Sequence, residues 1–216
     1  MHLETQAYSE QVKRWPGTGQ HILAQFTDNM VVVYQAYRPA IGRFAAEHGY
    51  FGGEFGYGRM SWIKPNFLWM MHRCGWGTKK GQEVTLAVRL KREGFDRILE
   101  AAVHSSFVPE VYESKECWMR TVKNSDVRLQ WDPDHDPYGG KCERRAIQLG
   151  LRRKALGSYG RQWIVDIDDI SGFVREQREH VTARQLDRLV TPRERVYPVK
   201  EAEVRRQLQL TETCAT

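Results

Sequence analysis

The segment Phe67–Cys74 constrains the fold of this chain more than any other. Phe67, Leu68, Trp69, Met70 and Met71 are apolar on every side of a helix, so the helix has no face to offer water and must be buried. Pro65 stands where a first helical position would be, and Gly75 supplies the stop. Such a helix needs other layers to cover it, and the rest of the chain must provide them.

The covering elements are legible in outline. Residues 1–20 are polar, and Pro16-Gly17-Thr18-Gly19 reads as a turn after a loosely attached arm. His21–Phe26 and Met30–Tyr34, the latter running on through Gln35-Ala36-Tyr37, read as two strands joined by a tight turn at Asp28-Asn29. Pro39 opens a helix with Ile41, Phe44 and Ala45 on its apolar side, stopped by Gly49. Val84–Leu90 alternates as a strand does, and Phe95–Val103 reads as a short amphipathic helix. Val127–Trp131 and Ala146–Leu151 are strands flanking an Asp/Pro/Gly-rich loop, and Trp163–Ile167 is a further strand. Ser171–Val190 carries a capping Ser and a charged helical pattern, and Arg195–Val199 reads as an edge strand.

Strands and helices are interspersed without a βαβ rhythm. The expectation is one α+β domain over residues 21–200, with a mixed or mainly antiparallel sheet and packed helices. Residues 1–20 form a polar arm and residues 201–216 a frayed tail in this reading. A chain of 216 residues is long enough for one substantial core.

Several function classes fall away. No apolar run approaches the roughly 20 residues of a membrane span. Met1-His2-Leu3-Glu4-Thr5 lacks the basic start and apolar stretch of a signal peptide, so the chain is expected to stay in the cytoplasm. Cys74, Cys117, Cys142 and Cys214 are widely spaced, with no C-x-x-C pair, and are expected as free thiols. The net charge of +6 suits a nucleotide-like small molecule or a nucleic acid as partner, or simply a basic surface.

The densest chemistry lies in Arg59-Met60-Ser61-Trp62-Ile63-Lys64-Pro65-Asn66-Phe67-Leu68-Trp69-Met70-Met71, followed by Arg73-Cys74-Gly75-Trp76-Gly77. A strand running into a helix with Arg59, Ser61 and Lys64 at its head makes an anion site. Arg59 and Ser61 would share one strand face, and Lys64 would lie by the free N–H groups of the helix that Pro65 opens. Trp62, Trp69 and Trp76 are stacking candidates or core. Gln35 and Tyr37 share a face at a strand end, where clefts open. Asp132, Asp134, Asp136 and Glu143 follow calcium-loop spacing, but Pro137 stands where that loop needs Gly, so the segment reads as a solvated turn and not a metal site. Gln148 is a polar residue in an otherwise apolar strand and needs a partner in the core or a pocket. Arg144, Arg145, Arg152, Arg153 and Lys154 bracket that strand and suit phosphate groups or water.

Taken with Val33-Tyr34-Gln35-Ala36-Tyr37, Gln130-Trp131-Asp132-Pro133 and Arg145-Ala146-Ile147-Gln148-Leu149-Gly150-Leu151, the central motif resembles domain-of-unknown-function family 4291, from about residue 21 to about residue 174. That resemblance implies no activity. The order of elements is also similar to that of ADP-ribosyl transferases, which implies an enzyme using NAD. On that analogy Gln35 or Tyr37 holds a ribose, Ser61 the nicotinamide-side ribose, and Gln148 the place of the catalytic Glu, with Gln148 and Gln35 as catalytic candidates. Tyr37, Arg59, Ser61, Lys64 and Arg145 are then the ligand-binding set. Two departures stand against the analogy: no Arg or His ends Met30–Tyr37, and Gln148 cannot act as a general base. A nucleic-acid-binding module without catalysis, and a protein-interaction domain, remain the alternatives.

Overall fold

A computed structural model describes residues 3–212. In chain order the elements are β1 (Thr5–Ala7), α1 (Tyr8–Gln11), β2 (Gly19–Gln20), β3 (Leu23–Ala24), β4 (Met30–Tyr37), α2 (Pro39–His48), β5 (Ser61–Ile63) and α3 (Phe67–Cys74). They continue with β6 (Val84–Lys91), α4 (Arg92–Glu100), β7 (Ala102–His104), α5 (Lys115–Asn124), β8 (Val127–His135) and β9 (Lys141–Leu151). The remainder are α6 (Arg153–Ser158), a π-helical turn at Tyr159–Trp163, β10 (Ile164–Asp169), α7 (Ser171–Thr182), β11 (Val190–Pro192), β12 (Arg195–Val196) and α8 (Ala202–Gln207). The chain is α+β, as the irregular order of its elements implies.

Two sheets carry the fold. The first runs β10-β6-β4, antiparallel throughout. The second is mixed: β8 and β9 are antiparallel, β7 lies parallel to β8, and β2 (parallel) and β5 (antiparallel) both pair with β9. A single backbone bridge between Tyr34 and Lys64 joins the two sheets. Strand β6 is buried on both faces from Val84 to Leu90, its Val84, Leu86, Val88 and Leu90 alternating onto one core face. Val31, Val33, Leu86, Val88 and Leu90 face the core shared with Leu129, Leu149 and Leu151 of the second sheet. Val32, Tyr34 and Ala87 face the opposite way, onto α3 and α7. There the all-apolar helix is covered, with Phe67, Leu68, Met70 and Met71 at most 2% exposed.

Local signals and tertiary pairing part company at several places. β3 takes β12 as its partner, and its link to β4 is reduced to a lone Phe26–Val31 bridge around the turn. The span expected as one helix, Phe95–Val103, ends at Glu100, and Ala102–His104 becomes a strand beside β8. β8 runs on through the acidic segment to His135, so the calcium-loop spacing falls on a β-hairpin. Pro133 is tolerated because β7 pairs β8 only as far as Leu129, leaving the later residues of β8 on an edge. Helix α7 stops at Thr182, with Arg184 left-handed at φ 58. Its first residue, Ser171, accepts from the Thr85 N–H at 3.0 Å instead of capping the helix.

The N-terminal residues are docked, where a loose arm was expected. β1 pairs with β11, and Tyr8, Gln11 and Trp15 are buried. Helix α8 lies in the span expected to fray, and Leu208 is fully buried with its carbonyl accepting from Trp131 Nε1 at 3.0 Å. Cys74, Cys117 and Cys142 are free, and Cys214 lies outside the described residues. No helix among the described residues is long and apolar enough to cross a membrane.

Candidate functional site

A cleft of about 910 Å³ opens where β4 and β5 diverge beyond the Tyr34–Lys64 bridge. The bridge is made by Tyr34 N to Lys64 O at 2.7 Å and Lys64 N to Tyr34 O at 3.3 Å. One residue further on, a side chain replaces the backbone ladder. Gln35 is 2% exposed, and its Nε2 donates to Trp62 O at 3.1 Å, Ser61 Oγ at 2.9 Å and Tyr37 OH at 2.7 Å. Its Oε1 accepts from Tyr159 OH at 2.6 Å. Trp62 O can only accept, so the amide has one possible orientation.

Proton counting gives this cluster a direction. Gln35 has two amide protons, and Tyr37 OH lies 2.6 Å from Ser61 Oγ. One hydroxyl of that pair donates to the other, and neither can donate to an amide nitrogen. The second hydroxyl proton therefore has no acceptor within the cluster, and Ser61 and Tyr37 both line the cleft. The floor of the cleft thus offers one donor to whatever lies above it. Burial also raises the Tyr37 phenol well above its ordinary range, so it stays protonated.

Lys64 is the unusual group on the wall. It is 4% exposed, and its ammonium makes no hydrogen bond or ion pair with any described residue. Burial, and next the positive charge of Arg73, bring its amine down to about pH 8, while Asp132 pulls the other way. Asp132 itself is held by two carboxamides: Gln130 Nε2 donates to Oδ1 at 2.9 Å and Gln148 Nε2 to Oδ2 at 2.6 Å. Gln130 and Gln148 are directly opposed across β8 and β9, which sets the clamp. Cations dominate the lining, with Arg38, Arg59, Lys64, Arg73 and Lys79 against Glu54 and Asp132. Glu54 is already bound to Arg38 at 2.6 Å.

Six of the seven residues singled out from sequence line this one cleft: Gln35, Tyr37, Arg59, Ser61, Lys64 and Gln148. Arg145 does not. Strand alternation turns it to the face opposite Gln148, and its Nη2 donates to Trp131 O at 3.0 Å. Gln35 is in the site, but every group on its amide is engaged, so it positions Ser61 and Tyr37 and has nothing left for a substrate. The expected helix N-terminal anion site is closed. Asn66 caps α3 by accepting from Trp69 N at 2.7 Å, and Glu194 Oε1 accepts from Phe67 N at 2.7 Å. Trp62 and Trp69 line the cleft, whereas Trp76 donates to Pro137 O and edges onto Phe67.

Residues unrecognised from sequence complete the site. Gln130 already lies in the strand expected at Val127–Trp131, and Asp132 falls on the same face by period two because β8 continues to His135. Tyr159 gives no local sign and arrives from 124 residues away. His72, which also lines the cleft, stacks on His135 at 3.5 Å, with Trp69 parallel to both. Burial lowers the pKa of each imidazole, and their mutual repulsion lowers that of His72 further.

The family model for a domain of unknown function, DUF4291, matches residues 21–197 of the 216-residue chain. The chain belongs to this family. The DUF4291 match takes in every strand of both sheets except β2, and all the residues of the cleft. No curated protein matches the chain.

Proposed function

We propose that the cleft binds a nucleotide-like ligand bearing phosphate and that the protein is an enzyme acting on it. One observation carries this reading: Lys64, a buried residue whose ammonium has no hydrogen-bond or ion-pair partner among the described residues, on the wall of a cleft rimmed by exposed cations. A buried charge without a partner is costly, and an anion entering the cleft removes that cost. Arg59 and Arg73 are exposed and free to give bidentate hydrogen bonds to phosphate oxygens. The spare hydroxyl donor of the Ser61–Tyr37 pair suits a sugar or phosphate oxygen, and the Trp62 and Trp69 rings border the space a base would occupy. The volume lies within the range of about 300–1,000 Å³ usual for ligand pockets.

A second reading is favoured by one feature. Asp132 supplies, beside Gln148, the carboxylate that Gln148 lacks, so an ADP-ribosyl-transferase-like use of NAD retains an acid–base group. Thermal denaturation with ADP-ribose, NAD and adenosine triphosphate tests both readings. A ligand at a hundredfold excess over its Kd stabilises by about 2.7 kcal/mol. The shift should disappear in Arg59→Ala and Arg73→Ala while the ligand-free midpoint stays unchanged, because both side chains are exposed. A midpoint unmoved by any of these ligands, or moved equally in both variants, refutes the proposal.

A further inference from the structure

We propose that Lys64 is an amine nucleophile, forming an imine with an aldehyde or ketone carried by the phosphate-bearing ligand of this cleft, and that Asp132 relays the proton. This rests on the ligand reading above and names the reactive group of the substrate.

The position of Lys64 is unlike that of a lysine whose task is to attract anions. Arg59, Arg73 and Lys79 already supply exposed positive charge at the rim, and an ammonium serves that purpose best in water. Lys64 instead is buried, flanked by Pro65, and pinned through its own backbone N–H and C=O to Tyr34. Its stem is thus fixed on a sheet bridge, and its nitrogen has no hydrogen-bond partner among the described residues. A desolvated amine next to another cation is the usual way in which a lysine becomes nucleophilic. With its midpoint near pH 8, about one tenth of the amine is unprotonated at neutral pH, against well under a thousandth for an ordinary lysine.

The surrounding groups match the needs of the step. The nitrogen lone pair forms the C–N bond as the carbonyl π pair moves to oxygen, giving a carbinolamine. The unsatisfied hydroxyl of the Ser61–Tyr37 pair donates to that oxygen. Asp132, held by Gln130 and Gln148 on the wall of the same cleft, makes no ion pair with Lys64, so through one intervening water it takes a proton from nitrogen and returns it to oxygen. The carbinolamine loses water, which carries away the carbonyl oxygen and the two amine protons, and C=N forms. No oxidant, reductant or second substrate is required.

The test uses the full-length protein with ADP-ribose, whose open-chain ribose presents an aldehyde alongside two phosphates. Imine is trapped with cyanoborohydride and located by peptide mass mapping, and binding is read in parallel from the melting midpoint without reductant. The reduced adduct is expected on Lys64 in excess over the exposed Lys79 of the same cleft. The excess should be on the order of tenfold, since the larger neutral fraction outweighs the lower nucleophilicity of a weaker base. NAD, whose ribose carbons are closed by glycosidic bonds, should shift the midpoint and give no adduct. Lys64→Arg should bind ADP-ribose without an adduct; should that variant not fold, the wild-type map decides alone. Binding of ADP-ribose with label no richer at Lys64 than at Lys79 overturns the imine and leaves the ligand reading standing. No midpoint shift with either compound overturns both.

Discussion

Replacing Lys64 by Met should make the protein more stable, and the gain should vanish at alkaline pH. The side chain is 4% exposed, and its amine titrates near pH 8 against about 10.4 in an unfolded chain. Between those values the unfolded state binds more protons than the native state, so the native state gains stability as pH rises. Below pH 8 the full penalty is in place, and above about 10.4 it is gone. A difference of a little over two pH units corresponds to about 3 kcal/mol at neutral pH. Met has nearly the same length and no charge to desolvate, and exchanging buried ions for apolar groups commonly stabilises by about 1–4 kcal/mol. For a chain of this size, about 3 kcal/mol raises Tm by roughly 6–12 °C. Thermal and urea melts of both proteins, repeated at neutral pH and across the range where Lys64 loses its proton, supply the comparison. The difference between variants cancels the other groups that titrate there. A Lys64→Met protein no more stable than wild type at neutral pH would refute the claim of a buried lysine whose ammonium lacks an ion-pair partner. So would a stability difference that ignores pH. The same substitution should abolish the shift caused by ADP-ribose, so that one change raises stability and removes binding.

Three further outcomes follow from other groups. Asp134→Ala strands the buried Arg144 guanidinium, which now meets Asp134 at 2.5 Å, and should cost about 3–5 kcal/mol in denaturant melts. Glu194→Ala leaves the buried Phe67 N–H without its 2.7 Å acceptor and should cost about 1–3 kcal/mol, with fluorescence or near-UV CD reporting loosening around Trp69. The His72 and His135 imidazoles have pKa values below the ordinary range. Stability should therefore fall as pH drops below about 6.5, and His72→Phe, which keeps a ring in the stack, should flatten that fall in melts run against pH.

What the sequence determined by itself was local. The burial of Phe67–Met71 follows from a run that is apolar on every side of the helix. The end of α2 follows from Gly49, whose φ of 72 is a conformation that favours glycine. The strand at Met30–Tyr37 follows from its β-branched run, and the shared face of Gln35 and Tyr37 from the period of two along a strand. Those regularities brought most of the cleft into view, because its floor and wall come from two strand ends with unusual polar residues. The tertiary structure decided everything that depends on distant partners. β3 chose β12 over the adjacent β4, since strand pairing rewards buried side-chain contacts and not proximity in sequence. Glu194 closed the α3 N-terminus from 127 residues away, because buried N–H groups must find an acceptor wherever one arrives. Gln35 was turned from a candidate reactant into a positioning group by Tyr159, and Asp132 from a solvated turn residue into a clamped carboxylate by Gln148. Residue type and spacing specify which groups a strand end presents, whereas the long-range pairing of strands fixes which of them are satisfied and which, like Lys64, are left to act.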